Sequence, residues 1–361
     1  MNRLRTFILL AAFLALATAF AACGGGDDGG AESVLDEATF QGVESGDLDL
    51  NLTIDATGQD GGDLDVSLSG PFQGSGKDQP PRLAMTAQAH GALAGEQIDF
   101  DGGLVLLPNK AYVNYEGTDY EVDPTTYSFV KSTIEEAQKE GGQTADVTGC
   151  QEAASGLEVA DFVENLTEEG KSNVGGTSTT KVSGDLDVGG TLDALIDLIE
   201  EPACKSQLTE EGPFSVTGES LEEARDEVET AVKSAHVEVD VGEDDIVRRL
   251  AAQISLQPEA EGNGPESADI DFDLTLNGVN EDQSIVAPAK SKPLSKLFLK
   301  LGINPIELLG LIEGGGGAAG LGDLLGQVGG GSGSSGGQSY TECLQGARSA
   351  ADIQKCGAKL G

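Results

Sequence analysis

From Leu48 onward the chain alternates apolar and polar residues with a period of two. Leu48, Leu50, Leu52 and Ile54 alternate with Asp47, Asp49, Asn51 and Thr53, and Leu64, Val66 and Leu68 alternate with Asp63, Asp65 and Ser67. Gly-rich turn chemistry separates the two runs. This is the pattern of half-buried antiparallel strands, one face on a core and one in water. Leu83, Met85, Ala87 and Ala89 predict a third strand, Ile98 and Phe100 a fourth. Leu104 to Leu107, Ala111 to Tyr115 and Tyr120 to Val122 bring the first run to seven. Strands resume with Val237, Val239 and Val241, then Leu250, Ala252, Ile254 and Leu256. The last clear one has Ile270, Phe272, Leu274 and Leu276 alternating with Asp269, Asp271 and Asp273.

Between and around these runs the period becomes helical. Ala31 to Phe40 predicts a short helix with Val34, Leu35 and Ala38 on one side. Asp123-Pro124 starts another, aspartate as N-cap and proline at the first helical position. Phe129, Val130, Thr133, Ile134 and Ala137 form its apolar stripe, and Lys139-Glu140-Gly141-Gly142 ends it. A further helical stretch holds Val159, Val163 and Leu166, and another Leu192, Leu195, Ile196 and Ile199. Ser220 with Glu223 reads as a capping box ahead of Leu221, Ala224, Val228 and Ala231. The phrase Ser45-Gly-Asp-Leu-Asp-Leu50 returns as Ser183-Gly-Asp-Leu-Asp-Val188, either by chance or as the opening strand of a second, related half.

Past Pro288 the character changes. Leu294 to Leu301 and Ile306 to Ile312 predict helices, the second capped by Asn304 with Pro305 behind it. Residues 314–338 are Gly/Ser-rich, interrupted by Leu321 to Val328, and read as a linker. Residues 339–361 predict a helical hairpin. The expected fold is α+β: a curved antiparallel half-barrel of about ten strands over 31–313, with helices on its concave apolar face and rows of aspartate on the other.

The first residues carry a different signal. Arg3 and Arg5 precede an uncharged run from Phe7 to Phe20, and Phe20-Ala21-Ala22 leads into Cys23. A positive segment, an apolar segment too short to span a bilayer, and small residues before a cysteine make 1–22 a lipoprotein signal peptide. The Cys23 thiol would carry a diacylglycerol. Each buried CH₂ contributes about 0.8 kcal/mol, so two acyl chains hold where one is marginal. Residues 23–30, mostly glycine, read as a flexible tether. The expected location is extracytoplasmic, lipid-anchored to the cell membrane through Cys23. The alternative is a secreted protein with an incidental cysteine at the cleavage point.

Charge narrows the partners. With 21 basic and 62 acidic residues the net charge is −41. That argues against nucleic acid and against flat binding to anionic headgroups, both of which need a basic surface. Hydrophobic residues make up 38%, there are 52 Gly and there is no Trp, so part of the chain has little to pack with. Besides Cys23, four cysteines remain: Cys150, Cys204, Cys343 and Cys356. Outside the cytoplasm an even number suggests two disulfides. Three pairings exist; Cys150–Cys204 and Cys343–Cys356 are favoured because each lies within one local region on its own side of the Gly/Ser stretch. No CxxC is present and only His90 and His236 are imidazoles, which argues against zinc.

Catalytic motifs dissolve on inspection. Gly331-Ser-Gly-Ser-Ser-Gly336 and Gly333-Ser-Ser-Gly-Gly337 fit a dinucleotide loop and a serine-hydrolase elbow, but neither has a strand before it and a helix after it. Gly170-Lys171-Ser172 resembles the end of a phosphate loop with Asn165 where the first glycine belongs. Asp269, Asp271 and Asp273 have the spacing of a calcium loop, but Leu274 replaces its glycine, and on a strand the same spacing is the solvent face. His236, among Glu238 and Asp240, reads as surface. No catalytic residue, metal or cofactor is therefore expected, and the chain is not expected to be an enzyme.

The order of parts is the remaining clue. A lipobox leads to a short helix, an SGxLxL-type strand, a meander and a helical insert. A second half then runs through Ile246-Val-Arg-Arg-Leu250 to Ile270-Asp-Phe-Asp-Leu-Thr-Leu276 and ends near Ile285-Val-Ala-Pro288. Over roughly Ala31 to Pro288 this resembles the LppX/LprG-type lipoproteins of actinobacteria, similar in fold to LolA and LolB. The resemblance implies a half-barrel closed by helices around an apolar cavity, and carriage or presentation of lipid in the envelope. Leu48, Leu50, Leu52, Ile54, Leu64, Val66 and Leu68 would line the cavity, with Met85, Ile98, Phe100, Phe272 and Leu274 on the same alternation. The Gly-rich tail and the acidity depart from the family pattern. Three functions stay open: binding of an apolar ligand, a lipid by the resemblance; a structural or protein-interaction role around a solid core, with the protein partner unspecified; or an acidic, cation-dependent surface protein.

Overall fold

The computed structural model describes residues 30–58, 61–74, 80–93, 95–124, 126–128, 131, 162–201, 204, 218–258 and 265–302. The chain divides after Lys300 into two units, and of the second only 301–302 are described. The signal segment, residues 23–29 of the tether, the stripe Phe129, Val130, Thr133, Ile134 and Ala137, Val159, Ile306 to Ile312, the 314–338 linker and the 339–361 hairpin lie outside the described residues.

Among the described residues twelve strands form one open sheet. In chain order they are β1 (Ser45–Gly58), β2 (Gly62–Gln73), β3 (Arg82–Leu93), β4 (Glu96–Leu107), β5 (Lys110–Tyr115), β6 (Thr118–Glu121), β7 (Val163–Val174), β8 (Thr177–Leu186), β9 (Val232–Gly242), β10 (Val247–Leu256), β11 (Pro265–Asn277) and β12 (Lys292–Pro293). Their spatial order is β12-β6-β5-β4-β3-β2-β1-β11-β10-β9-β8-β7. Two antiparallel meanders are joined where β1 pairs with β11 from Asp47↔Asn277 to Gly58↔Pro265. Among the described strands, β12 runs parallel to β6, and an isolated parallel bridge joins Thr39 to Ile246.

The helices α1 (Ala31–Glu37), α2 (Val188–Glu200), α3 (Gly218–Ala231) and α4 (Leu294–Leu301) accompany the sheet. α1 packs against β7, β8 and β9, α3 against β9, and α2 against α3. Asp187 caps α2, its carboxylate accepting from the Gly190 amide at 3.1 Å. Leu35, Leu192, Ile196, Leu221 and Val228 press onto Val182, Val237, Val239, Leu250, Ile254 and Ile270, all buried. The core therefore sits between these helices and the β7–β11 part of the sheet. The period-two strands predict this layering directly. The helix at 124 also starts as expected, with Thr126 N–H donating to the Asp123 carboxylate at 3.0 Å.

Four expectations are corrected. The sheet has twelve strands, not about ten. Ile98–Phe100 and Leu104–Leu107 are one strand, β4. The pair Gly102-Gly103 interrupts the apolar pattern but not the ladder, since both residues pair with β3 and β5. Val163 and Leu166 belong to β7, not to a helix. β7 is an edge strand, so its polar sequence VENLTEEGKSNV has little to bury. Glu and Lys favour helix in isolation, but the Gly175-Gly176 turn decides the outcome. Both glycines have left-handed φ, 57° and 89°, as a two-residue hairpin with matching strand twist requires. Finally, the repeated phrase has no structural counterpart: Ser45 opens β1, whereas Ser183 to Leu186 closes β8 and leads into the α2 cap.

Candidate functional site

The sheet's apolar face is the candidate site, and register assembles it. Leu50 of β1 stands opposite Leu274 of β11 and Leu68 of β2, Leu52 opposite Phe272 and Val66, and Ile54 opposite Ile270 and Leu64. The row continues from Leu68 to Ala87, Val66 to Ala89 and Leu64 to Gly91 on β3. From there it passes to β4, where Met85 meets Leu104, Ala89 meets Phe100 and Gly91 meets Ile98. All twelve expected lining residues, Leu48 included, thus share one face of five neighbouring strands. Leu83, Leu104 and Leu106 belong to the same face; the sequence placed them on strands but not in the lining set, although they carry the same alternation as Met85 and Ile98.

Burial changes along this face. Ile54 and Phe272 are buried, at 1% and 5% exposure, under the helix-covered core. Leu48, Leu50, Leu52, Leu64, Val66, Leu68, Met85, Ile98 and Leu274 are half-buried. Phe100 and Leu104 are exposed, at 44% and 41%. The floor between them is small: Ala87, Ala89, Gly91 and Gly102. The Phe100 ring lies over Gly102, where an added Cβ would sit 2.5 Å from its tip. A side chain at Gly102 would fill the trough that the ring now occupies. Contiguous apolar surface open to water marks an interaction or ligand site.

The opposite face is polar and ionic. Arg249 of β10 donates to Glu238 at 2.9 Å and to Asp273 at 2.7 Å, with Asp240 at 3.7 Å, while Lys181 bridges to Glu238 at 2.7 Å. Asp240 is 3% exposed and accepts from Ser172 and from Thr179, the latter at 3.1 Å. The hairpin tip covers this end of the sheet, with Gly175 against the Asn277 side chain. Burial pushes the Glu238 carboxyl up, but Lys181 and Arg249 outweigh it and hold it below the usual range. A cleft of about 200 Å³ beside the network is lined by Asn51, Thr53, His236, Gln253 and Asp271 among others. Of the expected lining set only Phe272 borders it. Asp269 and Asp273 are engaged by Ser255 and Arg249. His236 faces Asp185 at 3.2 Å.

Carboxylates also oppose one another on this face. Asp55 stands between Asp63 and Asp269 on adjacent strands. Like charges directly opposite are destabilising. Asp55→Asn is expected to stabilise the fold by on the order of 0.5 kcal/mol, with the gain shrinking in high salt as the repulsion is screened. Thermal melts at two ionic strengths check this; an unchanged or lowered midpoint at low salt would sink it.

Of the expected covalent sites, Cys23, Cys150, Cys343 and Cys356 lie outside the described residues. Cys204 is fully buried and disulfide-bonded, to a partner outside them. Among the described residues no helix is long and apolar enough to cross a membrane.

No family model and no curated protein matches the chain. Among solved structures it is similar to LprF from Mycobacterium bovis, at 14% identity and TM-score 0.32, covering 72% of this chain and 97% of that one. It is similar to the Mycobacterium tuberculosis lipoprotein LppX at 12% and 0.26, covering 71% and 98%. A LolA superfamily protein from Nitrosomonas europaea matches at 7% and 0.17, covering 72% and 99%. These are the kinds of protein that the order of parts in the sequence resembles. At such TM-scores their ligands and partners do not transfer.

Proposed function

We propose that the chain is an envelope lipoprotein, held to the cell membrane by acylated Cys23, whose apolar sheet face binds an acyl lipid for carriage or presentation. One observation carries this reading: a single apolar face runs unbroken over β11, β1, β2, β3 and β4, and its β4 end, at Phe100 and Leu104, stays open to water. A solid-core interaction module would be expected to cover that end. The core under α1, α2 and α3 is buried and fixes the sheet, and the β2–β4 face is where a chain of methylenes gains burial. On this reading Cys204 pairs with Cys150, the tail carries a Cys343–Cys356 staple, and no chemical step occurs.

Mass spectrometry of two versions of the chain tests it. The mature wild type should lack the mass of residues 1–22 and carry an added diacylglycerol on Cys23, whereas the Cys23→Ser variant should carry no diacylglycerol. The Cys23→Ser variant, purified without detergent and sprayed under native conditions, should retain a lipid mass that denaturation releases. A native mass without lipid, unchanged after incubation with mixed lipids, would sink the reading.

A further inference from the structure

On the polar face of β3 and β4 one group of side chains differs from the aspartate rows around it. His90 stands directly opposite Asp99, and Asp101 is the next residue on that face of β4. The imidazole Nδ1 lies 3.0 Å from Asp99 Oδ1 and its Nε2 3.5 Å from Asp101 Oδ1. One ligand atom from each of the three falls within 4.8 Å of the others. Gln88, on the neighbouring rung, donates to Asp101 at 2.8 Å and fixes that carboxylate. Across β2, Asp65 opposes His90 and is held by Thr53 at 3.0 Å.

The second observation is where basic side chains are missing. Strands β1, β2 and β4 contain no lysine or arginine, and β3 only Arg82, which donates to the Ile285 carbonyl at 3.1 Å. On β8 to β10 the carboxylates are matched by Lys181 and Arg249. Among the described residues, the only ionisable nitrogens within ion-pair distance of Asp99 and Asp101 are those of His90. We propose that His90, Asp99 and Asp101 bind a divalent transition-metal ion of the zinc class, leaving its remaining coordination positions to water or an external ligand. Zinc takes imidazole nitrogen at about 2.0–2.1 Å and carboxylate oxygen at about 2.0–2.2 Å. Small side-chain rotations on a fixed strand pair bring the three atoms to such a centre. The imidazole selects zinc, copper or nickel over magnesium and calcium, which prefer oxygen alone. The side chains are half-exposed or more, so the ion enters without any opening of the fold.

Zinc titrated into the full chain, in excess magnesium to occupy the acidic surface non-specifically, tests this by calorimetry. One zinc equivalent should persist in the wild type and in His236→Ala, and disappear in His90→Ala. Asp99→Asn, at a highly exposed position that does not affect folding, should weaken it by about tenfold or more. Retention of the same equivalent in His90→Ala, or no zinc bound over magnesium in the wild type, would overturn the proposal.

Discussion

Replacing Phe100 or Leu104 by aspartate should abolish retention of the apolar ligand while the chain remains folded. Both side chains are more than 40% exposed, so the folded state loses little; surface changes of this kind usually stay within about 0.5 kcal/mol. A bound acyl chain loses far more. Each methylene buried there is worth about 0.8 kcal/mol. A carboxylate set against it must also give up water without a partner, at a cost of roughly 2 kcal/mol or more. The affinity should fall by about a hundredfold. The readout is lipid retained in native mass spectra, beside a thermal melt. Undiminished lipid in both variants, with unchanged melts, would remove the β4 end from the site and the proposed function with it.

The second large effect concerns stability. Arg249→Met should cost on the order of 2 kcal/mol, less than the 3–5 kcal/mol typical of a fully buried pair because Arg249 is 29% exposed. It leaves Glu238, Asp240 and Asp273 facing one another, with Asp240 almost without solvent. The pH dependence follows from Glu238. Its folded-state carboxyl is held below the ordinary value of 4.5, so the contribution is present above about 4.5 and is lost as pH falls through the lower folded value. Wild type should therefore lose stability on acidification below that point, and Arg249→Met should lose less. Urea unfolding at neutral and acid pH measures both. Equal stability of the two proteins at neutral pH would show that the network contributes nothing net.

The β1, β2, β3, β9, β10 and β11 strands were legible because water on one face and core on the other leave a period of two in the sequence. Phe272 and Leu274 could be set beside Leu50 and Leu52 only by family layout, since nothing local says that β11 pairs with β1. β7 was illegible for a physical reason. At the sheet's edge its residues meet water on most sides, so there is no alternation to read, and propensity pointed to a helix. Arg249 was equally hidden: its three carboxylate partners come from β9 and β11, and only register brings them together. Phe100 was readable as apolar, but that it lies over Gly102, open to water, depends on which strands the helices leave uncovered.

The pairing of β1 with β11 has a consequence for how the chain is made. Ser45 and its carbonyl partner Glu281 are 236 residues apart. A chain that emerges N-terminus first therefore exposes β1, with one edge unpaired, until almost the whole domain has appeared. Such long-range closure is slow, and an open apolar strand edge meanwhile invites association with other chains. The aspartates along β1 and β2 thus have a task before the native state exists. By keeping half-built sheets apart through charge repulsion, they give the last long strand time to arrive.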